Sequence, residues 1–548
     1  VLGVLLASTG CGKTVNSPAT DPITPLSYSF TTLTVNGIFN GFTYTNVSYS
    51  PIVKLSFSAK LNRSNAGSNI FFKDVSGVAV AYTPRFENGD STIIIQPSNA
   101  LLPLNKYTIT VSDLLQSVPD AHLQAGLTIS LQTQIDSSRK FPVITDDSLL
   151  TLVQKQTFAY FWDFAHPVSG LARERNTSND IVTSGGSGFG IMSIPVAISR
   201  NFITRAQGLA RMQQIVGFLK NTAQKFHGAF PHWLNGVTGA VVPFSAKDNG
   251  ADLVETAYLM QGLLTARQYF NGTNADETTL RTNINSLWDA VEWNWFRQNN
   301  QNVLYWHWSP TDSWAINMPI KGWNEALITY VLAASSNTAA IPKTVYDQGW
   351  ASAVGFRNGN IFYNYTLPLG PASGGPLFFE HYSFLGINPN GLTDAYADYA
   401  LQTRNHTLIN YNYCKANPKN QTGYSDSCWG LTASDIANGY TASSPTNDVG
   451  VIAPTAALSS FPYTPKESMQ ALKFFYYVLG DKIWGNYGFR DAFSLNDPWF
   501  ASSYLAIDQG PIVVMIENYR TGLLWNLFTS CPEIKTGMKA LGFQAPYL

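Results

Sequence analysis

Residues 247–264 read KDNGADLVETAYLMQGLL, and this stretch decides the larger part of the fold. Leu253, Ala257, Met260 and Leu264 recur with a helical period and form one apolar stripe. Three carboxylates, Asp248, Asp252 and Glu255, gather at its start. Asp252 and Glu255 are three residues apart and share a face of the first turn. An Asp at a helix start is commonly a cap and a partner of the helix dipole. Asp252 therefore reads equally as a cap and as a ligand for a polar substrate. Glu255 stands inside an otherwise apolar helix, where a charge needs a reason.

Working outward, the same period predicts helices over residues 148–164, 204–222, 251–270, 279–296, 323–336, 393–412, 466–479 and 511–528, separated by loops rich in Gly, Pro and aromatics. Roughly a dozen helices over about 400 residues is too many for a simple bundle. Paired helices closing into a ring, an (α/α)6 toroid, fit the number, with loops at one rim building a cleft. This all-α domain is expected over residues 146–548.

Upstream of the polar linker DSSRKFPVITDD (136–147) the period is two. Runs such as IVKLSFSAKLN and GLTISLQTQI alternate apolar and polar residues between turn residues, predicting a β-sandwich over residues 22–136. Residues 1–21 read as an export signal and tether. The apolar run 1–7 is too short to span a membrane and ends in small residues before Cys11, which resembles a lipoprotein box, with Ser8 where that box usually has Leu. Cys11 is then the lipidated residue, and the protein is expected in the periplasm or at the outer-membrane surface.

Charged residues make up 13% of the 548 and the formal net charge is -1, so no basic field exists to hold nucleic acid. Membrane contact is expected only through the lipid anchor, and the protein is expected to be a monomer. Aromatic residues also reach 13%, including 14 Trp and 27 Tyr, which suits a cleft that stacks on sugar faces. The other cysteines are Cys414, Cys428 and Cys531; the first two share a loop-like stretch and can pair after export, and the third reads as a buried thiol. No HExxH, P-loop or GxSxG pattern occurs, and TSGGSGFG fits no nucleotide loop, so no cofactor or metal is implied.

Two further constellations carry carboxylates. KGWNEALITYVLAAS (321–335) reads as an inner helix, apolar nearly all round, with Glu325 on the face of Ile328 and Leu332. Desolvation there raises a carboxyl pKa and keeps it protonated, as a general acid requires; the alternative is a structural Glu paired with Lys321 or an Arg. AIDQGPIVVMIENYRTGLLWNLF (506–528) places Asp508 before a Gly-Pro break, at a rim, as a catalytic group or a cap. Glu517 and Arg520, at i and i+3, read as an ion pair. Loop motifs add Arg173, His232, Trp233, His381, Tyr382, Trp429 and Asp435 as candidate substrate-binding groups.

From about residue 149 onward the chain resembles the bacterial glucoamylase-like (α/α)6 proteins of glycoside hydrolase family 144. The resemblance is carried by VTSGGSGFGIM, HGAFPHWLNG, DNGADLVETAYLMQGLL, GWNEALITYVLAAS, PLFFEHYSFLG, CWGLTASD, and YGFRDAF followed by IDQGPIVVMIENYRTGLLW. Ala251 stands where the family usually has a second Gly. The order of strands ahead of it is similar to bacterial Ig-like domains at the front of surface enzymes. The resemblance implies hydrolysis of β-1,2-glucan to sophoro-oligosaccharides, typically endo-acting, with inversion at the anomeric carbon. It implies Glu325 as general acid, and Asp248, Asp252 and Glu255 as ligands of sugar hydroxyls. Asp508 is the candidate base. The alternatives are an exo-acting or transglycosylating enzyme on a related glucan, and an inactive glucan-binding surface protein.

Overall fold

The structure, a computed structural model, describes residues 26–548. Cys11 and the signal-like segment lie outside the described residues. The chain divides into two compact units after Asp136.

The first unit is built on two four-stranded sheets. One runs Phe30–Val35, Val53–Phe57, Thr92–Ile95, Arg85–Glu87, antiparallel throughout. The other runs Thr43–Val47, Leu127–Thr133, Lys106–Val111, Ile70–Asp74, with its first pair parallel. Strict alternation in VKLSF buries Val53, Leu55 and Phe57 while Lys54 and Ser56 face outward. Those three side chains share one core with Phe72, Ile109 and Ile129 of the other sheet, which makes the pair a sandwich.

The second unit, Ser137–Leu548, is helical, with short ladders of two to four residues in its loops. Three helices are buried along nearly their whole length: Ser184–Ser199, Leu253–Tyr269 and Leu327–Ser335. Around them lie helices with one polar face, among them Arg205–Asn221, Ala275–Asp289, Pro465–Tyr477 and Pro532–Leu541. Their starts carry the expected chemistry: Thr204 and Gln207 form a capping box, and Asn274 and Asp398 accept backbone N–H groups.

Several elements depart from the sequence reading: the helix expected over 279–296 is Ala275–Asp289 with a separate turn at Trp293–Arg297, and that expected over 393–412 is Tyr399–Ala416. The helix expected from residue 323 begins at Leu327, so Glu325 stands in the turn ahead of it. The helix expected over 511–528 starts earlier and is split by Gly522, at φ 70°, into Ala506–Thr521 and Leu523–Thr529. Ser184–Ser199 is a full helix despite four glycines and an internal Pro195.

Its glycines explain that last departure. A Cβ on Gly188 would fall into the carbonyl of Tyr258, and a Cβ on Gly262 would fall into the carbonyl of Gly188. The helices Ser184–Ser199 and Leu253–Tyr269 therefore pack backbone against backbone, which only glycine permits. The propensity lost to glycine is offset by the depth of the packing. Gly262→Ala is expected to lower stability by about 1–3 kcal/mol or more, as over-packing does in a filled core. Thermal unfolding of the variant beside Gly217→Ala, whose Cβ meets nothing within 4 Å, checks it; equal Tm values would show that the two helices can separate freely.

Candidate active site

A cavity of about 380 Å³ opens in the helical unit. Its wall includes Glu174, Arg175, His232, Trp233, Phe244, Glu255, Tyr258, Trp306, Glu325, Phe378, Tyr382 and Tyr440. The size falls in the range of about 300–1,000 Å³ typical of small-ligand sites. Aromatic rings in face-to-face contact line it: His232 lies 4.3 Å from Phe244 at 24°, and Phe378 lies 5.2 Å from Tyr382 at 29°.

Glu325 enters the wall half-buried from the turn before the 327–335 helix. Its backbone is fixed rather than its carboxyl: the Ser383 hydroxyl donates to the Glu325 carbonyl at 2.5 Å and accepts from the Ile328 N–H at 3.0 Å. Burial, then the negative charges of Glu255 and Asp252, push the Glu325 carboxyl up to about 7, against one opposing backbone hydrogen bond. Among the described residues no cation pairs with it, so the expected alternative of a Lys321 or Arg partner is not realised.

The three carboxylates of the 247–264 stretch have separate fates. Only Glu255 lines the cavity. Its Oε2 accepts from the Gly185 N–H at 2.8 Å and from Thr183 Oγ1 at 3.4 Å, while burial holds its pKa above the usual range. Asp252 is 0% exposed and caps the helix, with Oδ1 accepting from Val254 N–H at 3.0 Å and Glu255 N–H at 2.9 Å. Asp248 is 5% exposed and sits beside it. Neither is among the residues that line the cavity, where the sequence reading expects them as ligands of sugar hydroxyls. Burial opposes the charge on Asp252, but hydrogen bonding to His232 and the nearby imidazoles bring its pKa below normal. Burial alone would lower His232; the charge of Glu255 and the hydrogen bond to Asp252 reverse this and raise it to about 9.

Other expected site residues also divide. His232, Trp233 and Tyr382 line the cavity. Arg173 does not: its guanidinium donates to the carbonyls of Asn179 and Phe164 and lies over the Phe164 ring. The neighbouring Arg175, unremarked in the sequence, takes that place. His381 bonds Ser460 in the core, burial bringing its pKa down to about 3, and Trp429 is fully buried, donating to the Glu467 carbonyl. Cys414, Cys428 and Cys531 are all buried free thiols, so the first two are not paired. Glu517 pairs with Arg200 and Arg520 with Asp147, so the expected Glu517–Arg520 pair does not form.

Asp508 is not at a rim. It is 2% exposed in the first turn of the Ala506–Thr521 helix, beneath the lining residues Leu505 and Ile507. Its carboxyl interacts with that of Asp491, a residue the sequence reading passed over. Asp508 Oδ2 and Asp491 Oδ1 are otherwise buried without partners. Two carboxyls in contact need a proton between them, as like charges so close cannot both ionise. Asp491 Oδ2 accepts from the Asp435 N–H at 2.7 Å, and Asp435 in turn holds Arg175 Nη1 at 3.1 Å. Arg175 reaches Glu174 at 2.9 Å on the cavity wall. A chain of charge thus joins the buried pair to the cavity: Asp508, Asp491, Asp435, Arg175, Glu174.

Comparison with known proteins places these features. Residues 317–532 match the family described as "Putative glucoamylase", and residues 19–133 match the bacterial Ig-like domain. A solved endo-β-1,2-glucanase from Chitinophaga pinensis, in complex with sophorotriose and glucose, is 53% identical, with a TM-score of 0.72, over 74% of this chain and 100% of that one. A β-1,2-glucanase structure from Parabacteroides distasonis is 38% identical, with a TM-score of 0.72, over 96% of this chain and 74% of its own. An exo-β-1,2-glucooligosaccharide sophorohydrolase (non-reducing end) from P. distasonis is 47% identical over 438 residues, 76% of this chain. The match spans 60% of that curated relative's length.

Burial raises both Asp491 and Asp508 above the ordinary carboxylate range, helped by the charge of Asp435 on Asp491 and by the charges of Asp491 and Asp435 on Asp508. A raised folded pKa gives stability that is full below the unfolded value near 3.9 and is lost as pH rises through the folded value. The wild-type Tm is therefore expected to fall between about pH 5 and pH 8 more steeply than that of Asp491→Asn, whose amide can donate without a shared proton. Parallel Tm–pH curves would mean that the pair carries no extra proton.

Proposed function

The chain belongs to the bacterial glucoamylase-like family of glycoside hydrolase family 144, preceded by an Ig-like domain, and on that premise we propose that it hydrolyses β-1,2-glucan with inversion at the anomeric carbon. The observation that carries the reading is Glu325, a carboxyl without a cation partner in the wall of an aromatic cavity, with a pKa raised to about 7. Such a group is still protonated near neutrality and can give its proton to the leaving glycosidic oxygen. The sugar rings lie against His232, Trp233, Phe244 and Tyr382, and Glu255 accepts hydrogen bonds from their hydroxyls. Helices buried along nearly their whole length, flanked by helices with one polar face, support the (α/α)6 toroid of the sequence reading.

The base side falls to the Asp491–Asp508 pair. With one proton between two carboxyls the pair keeps one negative charge and can take up a second proton. The Asp435 N–H and the Arg175 guanidinium that join it to Glu174 carry charge but relay no proton, so the attacking water gives its proton directly to the pair or to Glu174. Comparing Asp508→Asn with Glu174→Gln tests this, since the variant that loses more kcat marks the base.

Both endo and exo action occur among the relatives, and the 47% identical one is named as exo-acting. Following products from long β-1,2-glucan decides between them. Early sophorose alone marks exo action, and early mixed oligosaccharides mark endo action.

Glu325→Gln is expected to fold normally and lose about 10²–10⁴-fold in kcat, the usual worth of a general acid. In the wild type, kcat/KM should fall as pH rises through about 7, because the acid form of Glu325 is the active one. Near-native activity in the variant would remove Glu325 from the reaction.

The stereochemical expectation is equally direct. Inverting glycosidases place a water between base and sugar and form no glycosyl-enzyme. Proton NMR of the earliest products should show the α-anomer; a β-anomer appearing first would mean a retaining mechanism.

A further inference from the structure

Behind the cavity wall, four side chains from three segments converge. His232 lies next to the short strand Trp233–Asn235, Asp248 closes a turn with Ser245, Asp252 caps the 253–269 helix, and His307 lies on the strand His307–Trp308. The ladder that pairs Ala251 with Trp308 sets Asp252 directly opposite His307, so both side chains leave the same face. Gly250 allows that approach: a Cβ there would enter the carbonyl of Trp308.

We propose that His232, Asp248, Asp252 and His307 form a tetrahedral site for one divalent transition-metal ion of the Zn²⁺ type. Ligand atoms of His232, Asp248 and Asp252 all lie within 4.8 Å of one another. His232 Nδ1 is 3.2 Å from Asp252 Oδ2, and His307 Nδ1 is 3.7 Å from the same oxygen and 3.6 Å from Asp248 Oδ2. A tetrahedral ion with bonds of about 2.0–2.2 Å sets its donors about 3.3–3.5 Å apart. The 3.2 Å separation also serves as a hydrogen bond, whereas the two to His307 are too long for one.

A second observation points to the same ion. Asp248, nine-tenths buried, has Oδ1 without any partner, and His307 Nδ1 is also buried and unpartnered. Buried polar atoms left unsatisfied cost about 1–3 kcal/mol each. Asp252 Oδ1 is taken up by two backbone N–H groups, which leaves Oδ2 to face the cluster. Two carboxylates and two neutral imidazoles around a 2+ ion sum to zero charge, which suits a buried place.

The donor set selects the ion class. Imidazole nitrogens suit Zn²⁺, Ni²⁺, Cu²⁺ and Fe²⁺, whereas Ca²⁺ takes six to eight oxygens. With all four positions filled by protein, the site is of the closed, structural kind. It ties the helix cap and two loops to His232, which stands in the cavity wall.

The test uses the full chain, free of any histidine tag and stripped with chelator, titrated with Zn²⁺ by calorimetry and with Co²⁺ by visible absorption. One equivalent per chain is expected, with the strong Co²⁺ bands of a tetrahedral site and a rise in Tm on loading. Asp248→Asn and His307→Ala should each weaken binding by at least about tenfold, while His227→Ala, at the surface pair with Glu292, should not. No stoichiometric binding of either ion by the wild type overturns the site. So does binding that survives both cluster variants, or that is lost in His227→Ala. Because the readout is metal binding, its failure leaves the glucan reading untouched.

Discussion

The contact on which the site rests is between two backbones. Gly188 and Gly262 let the Ser184–Ser199 and Leu253–Tyr269 helices touch without side chains between them. At this distance the first-turn N–H of Gly185 reaches Glu255 Oε2 on the other helix. An N–H at a helix N-terminus is unsatisfied within its own helix and favours an anion. The same approach brings Phe189 to 5.2 Å from both Tyr258 and Tyr382, which builds the floor of the cavity. A methyl group at either glycine would move the carboxylate and the aromatic floor together.

In a chain with so little charge, each buried carboxyl is assigned a state by its neighbours. Asp252 has two N–H donors and an imidazole and is held ionised. Glu325 has burial and two anions beside it, which outweigh one backbone hydrogen bond and hold it protonated. Asp491 and Asp508 have each other. The acid and base sides of the site thus need no unusual residue types, only unequal surroundings for one kind of group.

The strand alternation and the helical stripe of 247–264 were legible because burial on one face leaves a period in the sequence. Glu325 was legible for the same reason, as a charge in an apolar block. The Ser184–Ser199 helix was not, since glycine argues against a helix until the neighbour it touches is known. Arg175 and Asp491 escaped because their roles lie in partners 260 and 56 residues away, Asp435 in both cases. His307 escaped likewise: only the two-residue ladder with Asp252 gives it a neighbour. Asp508 was found by its motif but misplaced, since sequence does not separate a rim from the first buried turn of a helix.

The acid's loop is held from a second direction as well. Trp323, two residues before Glu325, donates from Nε1 to Glu380 Oε1 at 3.0 Å, and that oxygen also meets Gln402 Nε2 at 2.8 Å and His406 Nδ1 at 2.9 Å. His406 Nε2 faces the Gly375 carbonyl at 3.0 Å, so both ring nitrogens lie at oxygen atoms. In a buried polar cluster of this kind, losing one partner leaves the others unsatisfied. Its value here is positional. Glu380 adjoins the segment carrying Tyr382 and Ser383, so one carboxylate fixes the Trp323 side of the turn while Ser383 fixes its carbonyl. The acid is thereby held by its backbone on both sides, which leaves its carboxyl without a cation partner and able to keep a proton for substrate.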